Sequence, residues 1–352
     1  MNDLGHWSQR EHPASSSGFS CLTNTAALSS YLDSLFLVKL HGLRPRTHDA
    51  ASTLLRAAHH HKAFESAWRR HDEIAISTSL AKLSLCEQIY VVRNVGSLSL
   101  GSRSRALRDA PDLTTNAAAR LSALVLLSSI DAFDISGPLL DPGHDDIEVA
   151  REAERLLTSV VRTDRHDGLA WWGLIVTGRL LGISEEELID RFERCVGDHP
   201  AATAVIEIAT AVGPRSHGCV EAVKRVSDRL VERHAYSASA HVGRLIEHLE
   251  PLLEASEPAN YSTKHRVDIF IRNCEQLEAS PDGFERAYLA NLLAVLACLC
   301  GLERTAAVHL DGLARTHNFI TEPWEVAGPA LRVIDHYRKL YPLSAPASRN
   351  GS

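Results

Sequence analysis

The sequence of 352 residues lacks the compact motifs by which common enzyme classes are recognised. It contains no G-x-S-x-G, no P-loop, no G-x-G-x-x-G and no H-E-x-x-H. The sequence therefore contains no motif that would indicate a serine hydrolase, a nucleotide-phosphate enzyme, a dinucleotide-binding domain or a zinc metalloprotease. We predict no catalytic residue, no cofactor-binding residue and no metal ligand from any motif.

Paired cysteines are also absent. The seven cysteines, at positions 21, 86, 195, 219, 274, 298 and 300, contain no C-x-x-C pair. Cys298 and Cys300 are two residues apart, which places them roughly 200° apart around a helix. Isolated thiols in apolar runs are usually small buried side chains. We expect that role for them, in a reducing cytoplasm.

No apolar run is long enough to cross a bilayer. The longest, from Leu292 to Leu302, has about 11 residues, whereas a spanning helix needs about 20. The N-terminus lacks the basic and apolar regions of a Sec signal. A net charge of −7 and a pI near 6.2 are opposite to the basic excess of proteins that bind nucleic acids or anionic membranes. We expect a cytoplasmic protein that binds neither.

Methionine and lysine are scarce, with one Met and 6 Lys against 31 Arg. This bias is typical of a GC-rich bacterial genome. The arginines stand among acidic residues, as in the segment 151–155, and such alternation is typical of a solvated helix face.

Helical periodicity covers most of the chain, and 45% hydrophobic with 23% charged residues is the globular range. We predict a flexible tail over 1–22, an N-terminal helical section over 23–110, a helical repeat-like array over 112–341 and a flexible tail over 342–352. Individual helices are expected near 48–60, 63–77, 115–133 and 145–162.

The stretch 79–100 is ambiguous. Ser79 to Cys86 has a helical pattern, while Ile89 to Val92 and Ser97 to Leu100 also fit short strands. A single strand needs a partner strand, and none is found elsewhere. We therefore expect a helix followed by a loop.

Beyond residue 162 the chain alternates between helices of 12–18 residues and short breaks. The expected breaks lie at Gly182, Gly197 to Pro200, Gly213-Pro214, Pro251, Pro258, Ser280 to Gly283, Gly301 and Pro323. Connections this short imply antiparallel neighbouring helices. The predicted fold is all-α, built from antiparallel helix pairs as an α-solenoid or an irregular helical bundle.

The clearest unit begins at Trp171-Trp172-Gly173-Leu174, breaks at Gly182 and ends at Pro200. Its second helix carries three apolar residues, Leu188, Phe192 and Cys195. This unit resembles a tetratricopeptide repeat, and weaker similarity covers about 165–316.

The unit also departs from the tetratricopeptide pattern. Ile175 stands where the family prefers glycine, Gly178 stands where it prefers an aromatic residue, and one extra residue is needed near Gly182. The resemblance implies a concave groove for a protein or peptide partner and does not name that partner. The function expected from it is a non-catalytic helical scaffold that binds a protein or peptide, with its oligomeric state undetermined.

An alternative function is an all-α metal-dependent enzyme. Asp145, Asp146 and Glu148 follow His144, and Asp145 and Glu148 would share a helix face that can hold Mg²⁺. Acidic residues in the first turn of a helix also complement its dipole and cap its free N–H groups. We favour the capping role.

A further alternative is an exported bacterial effector, or an immunity-type protein that blocks a toxin. The polar stretch 8–20, which includes Ser15 to Gly18, fits an export leader as well as it fits an ordinary tail.

Histidine and tryptophan clusters have simpler explanations. Three adjacent histidines, His59 to His61, point in different directions on a helix and cannot alone complete a zinc site. The segment His71 to Glu73 has no nucleophile spaced to it and fits a solvated face. Trp171, Trp172 and Trp324 are expected to pack in the core, with partner contact as the alternative.

Overall fold

The computed structural model describes residues 72–96, 115–130, 144–197, 200–254, 259–276, 283–316 and 319–325, except positions 129, 198, 199, 217 and 321, and also a few residues within 64–70 and 334–340. Every regular element in these ranges is a helix, and they contain no β-strand. The all-α prediction is confirmed.

The helices are numbered in chain order. They are α1 (Glu73–Leu80), α2 (Leu85–Gly96), α3 (Asn116–Ser128), α4 (His144–Thr163), α5 (Gly168–Leu181), α6 (Glu185–Val196), α7 (Ala202–Val212), α8 (Val220–Arg233), α9 (Val242–Glu254), α10 (Tyr261–Gln276), α11 (Gly283–Leu299), α12 (Glu303–Thr316) and the short α13 (Glu322–Glu325). Single 3₁₀ turns, Pro214–Ser216 and Ser239–His241, precede α8 and α9.

Side-chain caps fix the starts of several helices. Asp72, Asp167 and Ser184 each accept a hydrogen bond from a backbone N–H three residues on, at α1, α5 and α6. At α2, Ser84 Oγ accepts from the backbone N–H of Glu87, while the Glu87 carboxylate accepts from the backbone N–H of Ser84. This is a capping box. Each such cap contributes about 1 kcal/mol.

The N-terminal helices differ from the prediction. The expected helix 63–77 is interrupted at Asp72, which caps α1. The expectation of a helix and then a loop over 79–100 is wrong, because α1 ends at Leu80 and a new helix occupies Leu85–Gly96. The alternative of a strand at Ile89 to Val92 is also wrong. Residues 97–100 lie outside the described residues.

The breaks at Gly182, Gly197, Gly213 and Gly301 are confirmed, since each follows or lies between helices. A break at Pro251 is wrong. Helix α9 continues through it to residue 254, although a proline inside a helix costs about 3 kcal/mol. The break at Pro323 is also wrong, because that residue lies inside α13. The expected breaks at Pro258 and at residues 280–282 lie outside the described residues.

The helices from α3 to α12 form two layers. Each odd-numbered helix from α3 to α11 packs against the next odd-numbered helix, so α3, α5, α7, α9 and α11 form one continuous layer. The even-numbered helices α4, α6 and α8 each pack against the odd-numbered helices before and after them, and α10 and α12 pack on α11. We call the odd-numbered helices the inner layer and the even-numbered helices the outer layer.

Helix α2 lies on the inner layer. It contacts α3, α5, α7 and α11, although a helix of 12 residues is only about 18 Å long. Helices α7 and α11 also touch each other directly. Four helices can reach one short helix only if their layer curves around it, so α2 occupies the concave face of the array.

Helix α7 is buried on every side, and all eleven of its residues are buried. The residue before it, Ala201, provides no side-chain cap. Instead, Glu285 of α11 reaches the start of α7 and accepts hydrogen bonds from the backbone N–H of Ala202 (2.9 Å) and from Ser239 Oγ (2.6 Å). A carboxylate at a helix N-terminus is favoured by the helix dipole, and here a distant helix supplies it.

Small residues allow the layers to approach closely. A Cβ at Gly178 would lie 2.6 Å from Ile183 Cδ1 and 2.9 Å from Leu188 Cδ2, so this position of α5 has no room for a side chain. A Cβ at Gly243 of α9 would collide with Ser227 of α8. The departure from the repeat pattern at Gly178 therefore has a packing reason.

Polar pairs connect the outer helices to one another. Polar contacts between these helices include Glu154 of α4 with Arg191 of α6 (2.6 Å), Glu185 of α6 with Arg225 of α8 (2.6 Å), and Asp268 of α10 with Thr305 of α12 (2.9 Å). The pair of Glu185 and Arg225 is partly solvated and weak, whereas the Arg191 side chain is 10% exposed and donates to both oxygens of the Glu154 carboxylate.

Two glycine substitutions should have opposite effects on stability. Gly182 ends α5 with a φ of 64°, and a Cβ there would meet no atom within 4 Å, so Gly182→Ala should cost about 1 kcal/mol through backbone strain alone. Gly312 lies inside α12 with equally open space, so Gly312→Ala should stabilise by about 0.5–1 kcal/mol. Urea unfolding measures both free energies. A destabilising Gly312→Ala, or a stabilising Gly182→Ala, would contradict these assignments.

Candidate binding site

A cluster of three buried charged side chains joins α2 to the inner layer. Glu207 of α7 lies with one carboxylate oxygen 3.1 Å from Arg179 Nε of α5 and the other 3.6 Å from Arg93 Nη2 of α2. The three side chains are at most 4% exposed. We call these residues the inner ion cluster. Both contacts are ion pairs, and neither carboxylate oxygen of Glu207 forms a hydrogen bond within the part of the chain that the structure describes. Removing one charged partner would leave the other buried and uncompensated.

Apolar contacts around the inner ion cluster hold α2 more strongly than the charges do. Ile89, Tyr90, Val91 and Val92 are at most 1% exposed, and the Tyr90 ring lies 5.0 Å from that of Phe284 on α11. Exposing these four side chains of α2 would cost roughly 6–12 kcal/mol, at 1.5–3 kcal/mol each. That cost is comparable to the whole stability of a typical domain. Helix α2 is therefore part of the core.

The concave face that the repeat resemblance assigns to a partner is thus covered by the chain itself. This face contacts α2 through an apolar surface and through the carboxylate of Glu207, which lies beside Arg93 of α2. This is the way in which helix-binding grooves generally recognise a helix. Here the bound helix belongs to the same chain.

A second concave surface lies on the outer layer, between α6 and α8. It encloses about 330 Å³ of space that opens to solvent. Apolar side chains form its floor, and charged residues with one glycine form its rim. The floor residues are Ile189, Phe192, Val196, Val226 and Leu230, and the rim residues are Glu193, Gly197, Arg229, Arg233 and His234. We call this surface the outer cleft.

The rim of the outer cleft combines one acidic and two basic side chains. Glu193 of α6 lies 3.8 Å from Arg229 Nη1 and 3.3 Å from Arg233 Nη1, both on α8. The two arginine side chains are 57% and 59% exposed. Such contacts contribute about 0–1 kcal/mol each, so these side chains can rearrange at little cost.

The acidic cluster that suggested a metal site lies at the start of α4. Asp145 and Asp146 occupy its first turn, and Glu148 pairs with Arg151. Within the described part of the chain, no group of three or more His, Cys, Asp or Glu residues is arranged to hold a metal ion. The position of the acids is that expected for complementing the helix dipole.

The remaining histidine candidates, His59 to His61 and His71, lie outside the described residues. Asp72, which follows His71, caps α1 by accepting a hydrogen bond from the backbone N–H of Ala75 (3.0 Å). This structural role explains the carboxylate at that position.

The tryptophans pack in the core, as expected. Trp172 and Trp324 are fully buried, and Trp171 is 9% exposed. The Trp324 indole donates a hydrogen bond to Asn291 Oδ1 (2.8 Å), and the Arg194 guanidinium lies over the Trp171 ring, 5.2 Å from its centroid. The first contact satisfies the Trp324 N–H, and the second is a cation–π contact with the face of the Trp171 ring.

The expected burial of the cysteines is confirmed for five of the described thiols, those of Cys86, Cys195, Cys274, Cys298 and Cys300. Burial raises the pKa of Cys274 to about 12 and that of Cys300 to about 11. Cys219, before α8, is exposed, which corrects the expectation for this residue. Cys21 lies outside the described residues.

Apart from Phe192 and Gly197, the residues of the outer cleft and of the inner ion cluster were not singled out by the sequence. A signal existed for Glu207, because it is the single charged residue in the apolar segment Ala202–Val212. The four-residue spacing of Arg229 and Arg233 was also visible. Their position opposite Glu193 of α6 depends on the packing of two hairpins and has no local signal.

Comparison with known proteins assigns the chain to no family: no protein-family model matches it, and no curated protein or solved structure matches it. None of the described helices combines the length and apolar character needed to cross a bilayer. The tetratricopeptide resemblance therefore stays a prediction from the sequence.

Replacing Glu207 should destabilise the fold strongly. Glu207→Gln removes the negative charge that lies between two buried guanidinium groups, and breaking a buried ion pair in this way costs about 3–5 kcal/mol. The matched control Glu193→Gln removes a partly exposed carboxylate that also faces two arginines, and should cost less than about 1 kcal/mol. Guanidinium unfolding gives both values, and equal values would refute a structural role for the inner ion cluster.

Cysteine labelling should separate Cys219 from the buried thiols. The reactive form is the thiolate, and at pH 8 the raised pKa values leave Cys274 and Cys300 almost entirely protonated as well as buried. Iodoacetamide at pH 8 should label Cys219 in the native protein, and Cys274 and Cys300 only after unfolding. Mass spectrometry of the peptides locates the label. Rapid native labelling of Cys274 would show that α10 opens.

Proposed function

We propose that this chain is a non-catalytic helical scaffold that binds a protein partner through the outer cleft. The observation that carries the proposal is the composition of this cleft, an apolar floor beneath an exposed charged rim. Protein interfaces combine these two parts, because the buried centre supplies affinity and the polar rim supplies orientation.

The covered inner face supports the same choice of surface. A partner that entered the concave side would have to displace α2, which would expose its apolar side chains at the cost given above. A partner at the outer cleft would displace only water and weak ion pairs. The energetic difference favours the outer layer as the accessible binding surface.

The repeat resemblance is consistent with this function, but the binding surface that we propose differs from the concave groove that the resemblance implies. Tandem helical hairpins present extended surfaces to protein partners. The proposal keeps that general role and places the contact between the second helices of two successive hairpins, α6 and α8, at the surface defined by Glu193, Arg229 and Arg233.

Closing the outer cleft should abolish partner binding. In Glu193→Trp, a large indole replaces a rim carboxylate whose side chain is 31% exposed, and it should cover the apolar floor. A photo-reactive residue at Arg229 should crosslink the partner in cells, and the identified partner should then bind the purified chain. We expect Glu193→Trp to weaken that binding about tenfold or more, because the buried centre of an interface carries most of its affinity.

The matched control is Glu148→Trp, at an exposed carboxylate of the outer helix α4 that also pairs with an arginine. It should bind the partner like the wild type, and both variants should keep the wild-type melting temperature. Equal binding by Glu193→Trp and Glu148→Trp would overturn the proposed function.

A further inference from the structure

The rim of the outer cleft carries an excess of positive charge. Among the described residues, Arg229 and Arg233 share the carboxylate of Glu193, whereas nearby on the same two helices Arg225 has the carboxylate of Glu185 as its own partner, with both oxygens within 2.7 Å. The chain as a whole has a net charge of −7. The cleft is therefore a local site that attracts an anionic group on an otherwise acidic molecule.

Both arginines can bind a carboxylate from outside. More than half of each side chain is exposed, and their closest approaches to Glu193 involve one nitrogen each, at 3.8 Å and 3.3 Å. A guanidinium group has five N–H donors and can bind a carboxylate through two parallel hydrogen bonds. An incoming carboxylate would therefore find donors available at both arginines.

The spacing of these donors indicates the shape of the ligand. Arg229 and Arg233 are four residues apart on α8, about 6 Å along the helix axis. Two carboxylates four residues apart on another helix have the same separation and lie on one face. The apolar floor lies beside them and includes Val226 and Leu230 of the same helix.

The size of the cleft limits its apolar ligand to one side chain. Its space of about 330 Å³ includes the part open to solvent, so the enclosed part is much smaller. The floor residues are only 2–8% exposed, so the opening above them is narrow. A single large apolar side chain fits this space better than an extended apolar surface.

We propose that the outer cleft binds an amphipathic helix of a partner protein, with two acidic residues four positions apart and one large apolar residue on the same face. This inference rests on the proposed function and adds the chemistry of the partner. The acidic residues pair with Arg229 and Arg233, and the apolar residue enters the cleft between α6 and α8, in the manner of other helices bound in grooves.

The test uses three labelled, alanine-rich peptides of about 16 residues, long enough to form a helix. The first has two glutamates four positions apart and a leucine on the same face. The second has lysines in place of the glutamates, and the third has alanine in place of the leucine. Fluorescence anisotropy with the full chain should show binding of the first peptide, and binding at least about tenfold weaker for the other two.

The matched protein variants are Arg229→Gln/Arg233→Gln and Arg151→Gln/Arg155→Gln. The second pair has the same four-residue spacing on α4 and similar exposure, 61% and 57%. The cleft variant should bind the first peptide about tenfold more weakly than the wild type, and added salt should weaken wild-type binding more than that of the variant. The control variant should behave like the wild type.

Equal affinity for the glutamate and lysine peptides, or equal affinity of the two arginine variants, would overturn this inference. A concentration-dependent dimer that is lost in the cleft variant, measured by sedimentation velocity, would also overturn it by identifying a second copy of the chain as the ligand. A different result would refute the proposed function, namely partner binding that is unchanged in Glu193→Trp. If Glu193→Trp blocks the partner while the acidic peptide does not bind, only the acidic-helix inference is lost.

Discussion

The complete burial of helix α7 is the constraint on which the rest of the structure depends. A helix with no solvated face must find partners for its charged residue and for its free N–H groups inside the protein. Glu207 is matched by arginines from α2 and α5, and the first N–H of the helix is matched by Glu285 from α11. Three helices from separate parts of the chain are thereby held around one axis, and their apolar residues close the core.

The sequence predicted best the helices that are buried on one face. Helices α4, α6 and α8 alternate apolar and charged residues with helical period. The sequence therefore indicated where these helices lie and that their connections are short. Helix α2 is buried all round, so Ile89 to Val92 show no period and fit a strand equally well. The capping box at Ser84 and Glu87 was the local signal that would have identified its start.

The outer cleft was less predictable than the fold. Phe192 was recognised as a core position of the repeat unit, and it does lie at the cleft floor. The rim, however, needs Glu193 and Arg233 from different hairpins, and their approach is set by how α6 and α8 pack on the inner layer. Small residues contribute to that packing, since Gly178 of α5 lies against Leu188 of α6 and Gly243 of α9 lies against Ser227 of α8, and such neighbours cannot be known before the helices are placed. The spacing of residues along one helix can be read from the sequence, whereas the residues that face each other across a cleft cannot.

The position of α2 has a consequence for how the chain acquires its structure. In an ordinary repeat array each unit contacts only its neighbours, so units can form and unfold nearly independently. Here Tyr90 near one end of the array packs against Phe284 near the other. During synthesis α2 emerges before all the inner-layer helices that it contacts, and its contact with α11 can form only after that distant helix has emerged. Closing so long a loop slows folding and couples the hairpins into one cooperative unit, so removing terminal hairpins would unravel the array instead of shortening it.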